Sequence, residues 1–221
     1  MTSVPGSRTD LDAGPPLDGV IRIETHGRAE NTFRVVDMIR SVYPHNQIFG
    51  DFCTIQGFVD APPRELYEWL AHTRSLEEWT YSSRGLRPCD DDPGLYVGYD
   101  MLNPGTEFFV RTVANPDAMT VDYHCAWDQG GDLWMIYLMR VVDAQLVLNR
   151  PGSVVLWTNC HHPYYDENLY PDIAPADREE WVGDLWDMFW AGHRIELDNL
   201  TRIAEHRHRT GRPLTPEWMR A

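Results

Sequence analysis

Two polar side chains, His193 and Glu196, fall inside the apolar arc of the last long helical segment of the chain. The segment runs from about Pro175 to Arg209. Placing its residues at about 100° per step gathers Val182, Leu185, Trp186, Phe189, Leu197, Leu200, Ile203 and Ala204 on one side. Asp184, Asp187, Arg194, Asp198, Arg202 and Glu205 gather on the other. His193 lies near the middle of the apolar group, and Glu196 lies between it and the Leu185/Ile203 edge. Residues three apart emerge on neighbouring positions of one helix surface. A buried polar group without a partner costs free energy, so the pair needs internal hydrogen bonds or a chemical task. The task these residue types suit is proton transfer, with the imidazole exchanging the proton and the carboxylate orienting the ring. The alternative is a structural brace, hydrogen-bonded to a neighbouring sheet or to Arg side chains.

Further candidates sit on segments with strand character. His161 and His162 close the run Ser153 to His162, and because adjacent strand residues face opposite ways only one of them points inward at a time. Parity leaves the choice open: Val155 and Trp157 share a face with His161, and Val154, Leu156 and Cys160 share one with His162. His124 alternates with Val121, Tyr123, Cys125 and Trp127, which puts it on the outer, solvated face. His124, one of His161 and His162, and His193 form a three-histidine set on separate elements. Three protein ligands are the usual complement of a catalytic divalent metal, and this set is the metal-binding alternative. Tyr99, Tyr123, Tyr137, Trp134, Trp157, Trp186 and Phe189 are candidates to line a cavity and stack on a planar ligand; plain core packing is the competing role. Arg111 and Arg140 interrupt strand patterns, either as anchors for an anionic ligand group or as exposed charges.

Composition removes several classes. The formal net charge is −15, which argues against nucleic acid, since affinity for phosphates comes mainly from clustered Lys and Arg. All nineteen basic residues are Arg, with no Lys, so Schiff-base and P-loop lysine chemistry is ruled out. No Gly-x-Ser-x-Gly elbow, His-Glu-x-x-His or Cys-x-x-Cys occurs, leaving common hydrolase and zinc signatures unsupported. The four cysteines lie about 35 positions apart and read as free, mostly buried thiols of a reducing compartment. The first twenty residues lack a basic start followed by an apolar run, and nothing approaches the ~20 apolar residues of a membrane span. A cytoplasmic protein without membrane insertion is expected. With 221 residues, 43% of them hydrophobic, one well-packed domain is expected.

The positioning elements follow from periodicity and turn signals. Residues 1–18, rich in Pro, Gly, Ser and Asp, read as a flexible tail; 19–49 reads as an extension packed on the domain, with a strand over 20–25 and a helix over 31–43. The main domain spans 50–210, followed by a C-terminal tail over 211–221. Phe52 to Val59 reads as a strand, Pro62-Pro63 as the first turn of a helix with Leu66, Trp69 and Leu70 on its apolar face, and Leu76 to Trp79 as a second short helix. Strands are expected over Gly85 to Cys89, Leu95 to Met101, Thr106 to Ala114, Met119 to Trp127, Leu133 to Val142 and Ser153 to His162. The turn residues between them suit consecutive antiparallel hairpins. The last helix would span roughly 45–50 Å at 1.5 Å per residue, with Gly211 and Pro213 ending it.

The run FCTIQGFVDAPPRELYEWLAHTRSLEEW at 52–79, with the hairpin series and long helix after it, resembles the START-like helix-grip superfamily (SRPBCC). That group includes polyketide cyclase/dehydrases and lipid-transfer proteins. The resemblance covers roughly residues 50–210 and implies an α+β helix-grip fold: a curved antiparallel sheet wrapped around the long helix, with an internal cavity whose wall includes His193 and Glu196. It transfers no catalytic residue by position, because fold alone does not fix function. The expected function is an enzyme acting on a hydrophobic, aromatic or polyketide-like molecule of specialised metabolism, such as antibiotic biosynthesis, by cyclisation, dehydration or related lyase or isomerase chemistry. His193, Glu196, His161 and His162 are the catalytic candidates, with Tyr99, Arg111, Tyr123, Tyr137, Trp157, Trp186 and Phe189 as ligand contacts. A non-catalytic lipid or metabolite binder and a His-ligated metal enzyme (His124, His161, His193) are the alternatives. No cofactor is required beyond the divalent metal of the last reading, and a homodimer is compatible with all three.

Overall fold

The computed structural model describes residues 50–101, 106–127, 132–169, 171–172 and 182–219. The expected tail at 1–18 and the extension at 19–49 lie outside the described residues, as do 220–221. The elements, in chain order, are β1 (Phe52–Val59), α1 (Pro63–Leu70), a 3-10 turn (Thr73–Ser75) and α2 (Leu76–Trp79). Six strands follow: β2 (Ser83–Pro88), β3 (Leu95–Asp100), β4 (Glu107–Asn115), β5 (Thr120–Trp127), β6 (Met135–Asp143) and β7 (Ser153–Cys160), with α3 (Ala144–Leu148) between the last two. The chain closes through 3-10 turns at Pro163–Tyr165 and Val182–Met188, then α4 (Phe189–Arg209) and a last 3-10 turn at Glu217–Met219.

The seven strands form one antiparallel sheet in the order β1-β7-β6-β5-β4-β3-β2. This is the expected meander, with β1 added beside the last strand in continuous register from Phe52↔Cys160 to Val59↔Ser153. Alternation assigns the faces: Val121, Tyr123 and Cys125 of β5, and Val155 and Trp157 of β7, are buried, whereas Leu138 of β6 and Leu156 of β7 are exposed. The helices cover the buried face, giving an α+β helix-grip arrangement. Helix α4 comes closest to the sheet at Gly57, where an added Cβ would lie 3.1 Å from Leu197 Cδ2; a larger residue there would push the helix off β1. No helix among the described residues is long and apolar enough to cross a membrane.

Three expectations need correction. Among the described residues the α-helical part of the final segment begins at Phe189; the expected start near Pro175 lies outside the described residues. From Val182 to Met188 the chain is 3-10, where side chains three apart eclipse; Val182, Leu185 and Met188 have that spacing, and Val182 and Met188 are buried. At 21 residues, α4 is about 32 Å long. The strand expected to reach His162 stops at Cys160, because His162 caps the next turn and Pro163 has no N–H to give a ladder. Helix α3 was not anticipated; Asp143 caps it by accepting from the Gln145 N–H at 2.8 Å, an Asp N-cap signal present in the sequence.

An ion pair buried beneath α1 fixes the far end of α4. Arg207 and Glu78 side chains are 1% and 2% exposed, with Nη2 2.6 Å from Oε1 and Nη1 2.8 Å from Oε2. Trp69 Nε1 donates to Glu78 Oε2 at 2.8 Å, and Arg207 Nη1 donates to the Leu214 carbonyl at 2.8 Å. Residues after the helix therefore fold back, burying Leu214 and Met219. Replacing one partner of a buried pair leaves an uncompensated charge, so Arg207→Met is expected to destabilise the fold by about 3–5 kcal/mol. Urea unfolding checks this; an unchanged midpoint would remove the pair from the account of stability.

Candidate active site

A cavity of about 90 Å³ lies between the inner sheet face and the N-terminal half of α4. Its walls are largely aromatic, including Trp79, Phe108, Trp157 and Phe189, and its polar groups come from three places. Helix α4 supplies His193 and Glu196; the loop from Thr80 to Ser83 and the end of β3 supply hydroxyls and Asp100; β5 and β6 supply Tyr123, Cys125 and Tyr137. Sequence periodicity placed the helix pair on this face. Both residues are 6% exposed.

The His193 ring lies 4.4 Å from the Trp157 ring at an interplanar angle of 31° and meets the Tyr137 ring edge-on at 5.5 Å. Its Nδ1 is 3.7 Å from Cys53 Sγ. Burial pushes the Cys53 thiol up to about 12, so the sulfur stays protonated and its S–H donates whenever Nδ1 carries no proton. Glu196 Oε1 accepts from the Tyr81 backbone N–H at 3.3 Å. One turn earlier on the same face is Gly192, where a Cβ would meet Tyr81 Oη at 2.5 Å; the missing side chain gives the Tyr81 ring its place against the helix. Burial, and then the Glu196 charge, holds the Cys125 thiol well above its ordinary range. Tyr137 is raised for the same first reason, with Tyr165, Cys125 and Glu196 adding to it. The cavity wall thus keeps its weak acids protonated.

The remaining candidates divide sharply. Tyr123, Tyr137, Trp157 and Phe189 line the cavity, although Tyr123 also donates to the Leu70 carbonyl at 2.6 Å and so braces α1. Trp186 is buried outside the lining, its ring stacked on His161 at 4.6 Å. Tyr99 is 45% exposed. Arg111 is bound to Asp92 at 2.6 Å, leaving it engaged at the outer side of the sheet. Arg140 is exposed, and Trp134 packs on Tyr165 at 4.8 Å, neither among the lining residues. His161 and His162 lie past the end of β7 and do not line the cavity: His161 Nε2 is 3.3 Å from Asp166 Oδ1, and His162 Nδ1 accepts from the Tyr164 N–H at 3.2 Å. His124 sits on the face of β5 opposite Tyr123 and Cys125, so the three histidines do not converge. Among the described residues no group of three His, Cys, Asp or Glu side chains is placed to hold a metal.

Sequence reasoning missed Cys53, Cys125, Asp100 and the Thr80–Ser83 loop. The alternation of β5 already put Cys125 on the inner face; the loop and Asp100 carry no periodic signal.

No protein-family model matches the sequence, and no curated protein matches it. Among solved structures, an aromatase/cyclase from a Streptomyces species is 17% identical, over 71% of this chain and 94% of that one, with a TM-score of 0.46. A protein of the dynemicin biosynthetic locus is 14% identical over 76% of this chain, which spans 50% of that protein, with a TM-score of 0.43. An uncharacterised protein from Bacillus thuringiensis is 12% identical, over 68% of this chain and 96% of that one, with a TM-score of 0.45. Likenesses of this size carry no residue of function across.

The Cys53 shift has a directional consequence. The folded thiol holds its proton above the ordinary 9.0, so its contribution to stability is complete below about pH 9 and declines as the pH rises toward 12, where the unfolded chain ionises first. Urea midpoints measured from pH 8 to 10.5 should fall less in Cys53→Ala than in the parent. In the same protein, iodoacetamide at pH 8 should label exposed Cys160 and spare buried Cys53 and Cys125; rapid labelling of Cys53 would contradict the assigned burial.

Proposed function

We propose that the cavity is an acid–base site for a hydrophobic, aromatic or polyketide-like small molecule, acting by cyclisation, dehydration or related chemistry at a carbon next to a carbonyl. The observation that carries this reading is the placement of His193 and Glu196 together on a largely aromatic cavity wall. As the base, the neutral imidazole holds its proton on Nδ1 against Cys53 Sγ, which leaves the Nε2 lone pair free to take a proton from a bound substrate, while Glu196 is held by the Tyr81 N–H. Tyr137, kept neutral, is a donor for the enolate oxygen that develops. Aromatic walls orient a planar substrate, and holding it in one reactive fold is itself a source of rate.

A second reading, a metabolite binder without chemistry, is favoured by the bonds that His193 and Glu196 already make to Cys53 and to the Tyr81 backbone. Such bonds suit a brace as well as a base.

One assay separates the two. In deuterium oxide, an enolisable aromatic ketone such as β-tetralone should exchange its α-protons faster with the protein than without it, followed by proton NMR. Positioned acid–base groups typically contribute 10²–10⁴-fold, so His193→Ala should remove about that factor, with Glu196→Gln slowing exchange less. Exchange at the parent rate in His193→Ala overturns the acid–base reading; binding of the ketone without accelerated exchange supports the carrier.

A further inference from the structure

Directly behind the cavity wall is a set of polar atoms without partners. Asn159 is 1% exposed and Tyr165 3%. Neither Nδ2 nor Oδ1 of Asn159, nor the Tyr165 hydroxyl, has a hydrogen-bond partner among the described residues, and the same holds for Trp157 Nε1. The atoms are neighbours. Asn159 is paired in register with Cys53 on β1 and with Tyr137 on β6, and the Asn159 amide and Tyr137 hydroxyl both approach the Tyr165 hydroxyl without closing a well-formed bond. Tyr137 adjoins the set through its pairing with Asn159 and also lines the cavity. The Tyr165 ring packs edge-on against Phe189 at 5.4 Å, which joins the set to the N-terminal end of α4.

Buried amides and hydroxyls are almost always paired, and leaving one unpaired costs about as much as the group's desolvation. Three such atoms on two neighbouring side chains, Asn159 at the inner face of β7 and Tyr165 in the turn that follows, make a place for an oxygen that the protein does not provide. The groups offered, an amide and a phenol, are neutral dipoles that match an uncharged oxygen. A ketone would accept from Asn159 Nδ2 and the Tyr165 O–H; a phenol would also donate to Asn159 Oδ1.

We infer that Asn159 and Tyr165, reached from the cavity past Tyr137, form a subsite for a neutral ketone or hydroxyl oxygen on an aromatic ligand. The inference rests on the proposed function's claim that the cavity takes such a ligand, and it names the group by which the ligand is oriented.

Toluene and p-cresol, which differ by one hydroxyl, are suitable probes for calorimetric titration of the full chain. Water solvates the hydroxyl, so an apolar pocket would favour toluene; the subsite predicts instead that p-cresol binds about 10-fold tighter. Tyr165→Phe, which removes one oxygen and keeps the ring, should cut that preference to about 3-fold or less. Asn159→Leu combined with it should abolish the preference while leaving toluene affinity within about twofold. If toluene binds and p-cresol gains nothing, or if Tyr165→Phe keeps the full preference, the unpaired atoms hold only water and the subsite is wrong while the cavity reading stands. If neither probe binds, both fall together.

Discussion

The buried pair between Arg207 and Glu78 limits where α4 can lie. A guanidinium and a carboxylate removed from water incur a large desolvation cost that their attraction offsets only when the geometry is good, and here both carboxylate oxygens and both terminal guanidinium nitrogens are engaged. Sliding the helix by one turn would leave the carboxylate beneath Trp69 with no cation and bury the guanidinium elsewhere. The pair therefore penalises other registers strongly even if its net contribution to stability is modest. Register at one end determines position at the other: the fourteen steps from His193 to Arg207 span about 21 Å of rigid helix. Gly57, by admitting Leu197 against β1, sets the depth of the same helix.

With that end anchored, the cavity sits toward the other end of α4. The contacts there are ring on ring: Trp157 and Tyr137 on His193, Tyr165 and Trp186 on Phe189. Such contacts are individually weak and tolerant of small shifts in ring position. Displacing a ring in such a wall leaves no unpaired charge behind.

Much of this was legible in the sequence, and the limits have physical causes. Period-2 alternation located β1 and β3 to within a residue or two because one face of the sheet is buried and the other is wet. The 3.6-residue period put His193 and Glu196 on the inner face of α4. It failed from Val182 to Met188 because a 3-10 segment has a different period, so extending one α-helix back through those residues carried the wrong geometry. Parity failed at His161 and His162 because the strand ends before them; residues beyond the last ladder bond obey the local turn, here a His162 cap followed by proline. The Glu78–Arg207 pair was invisible for another reason. Its partners are 129 positions apart, and each alone reads as an ordinary charged residue near an amphipathic edge.

The electrostatics of the cavity give its acids and its carboxylate different parts. Burial raises the proton affinity of Tyr137, Cys53 and Cys125, and the Glu196 charge reinforces this at Tyr137 and Cys125, so these groups remain donors across the physiological range. A donor that does not ionise can support developing negative charge on a substrate oxygen without itself competing as a base. The proposed function assigns proton removal to His193, whose Nδ1 faces a thiol. The neutral Asn159–Tyr165 pair continues the same logic one layer deeper, with dipoles in place of charges.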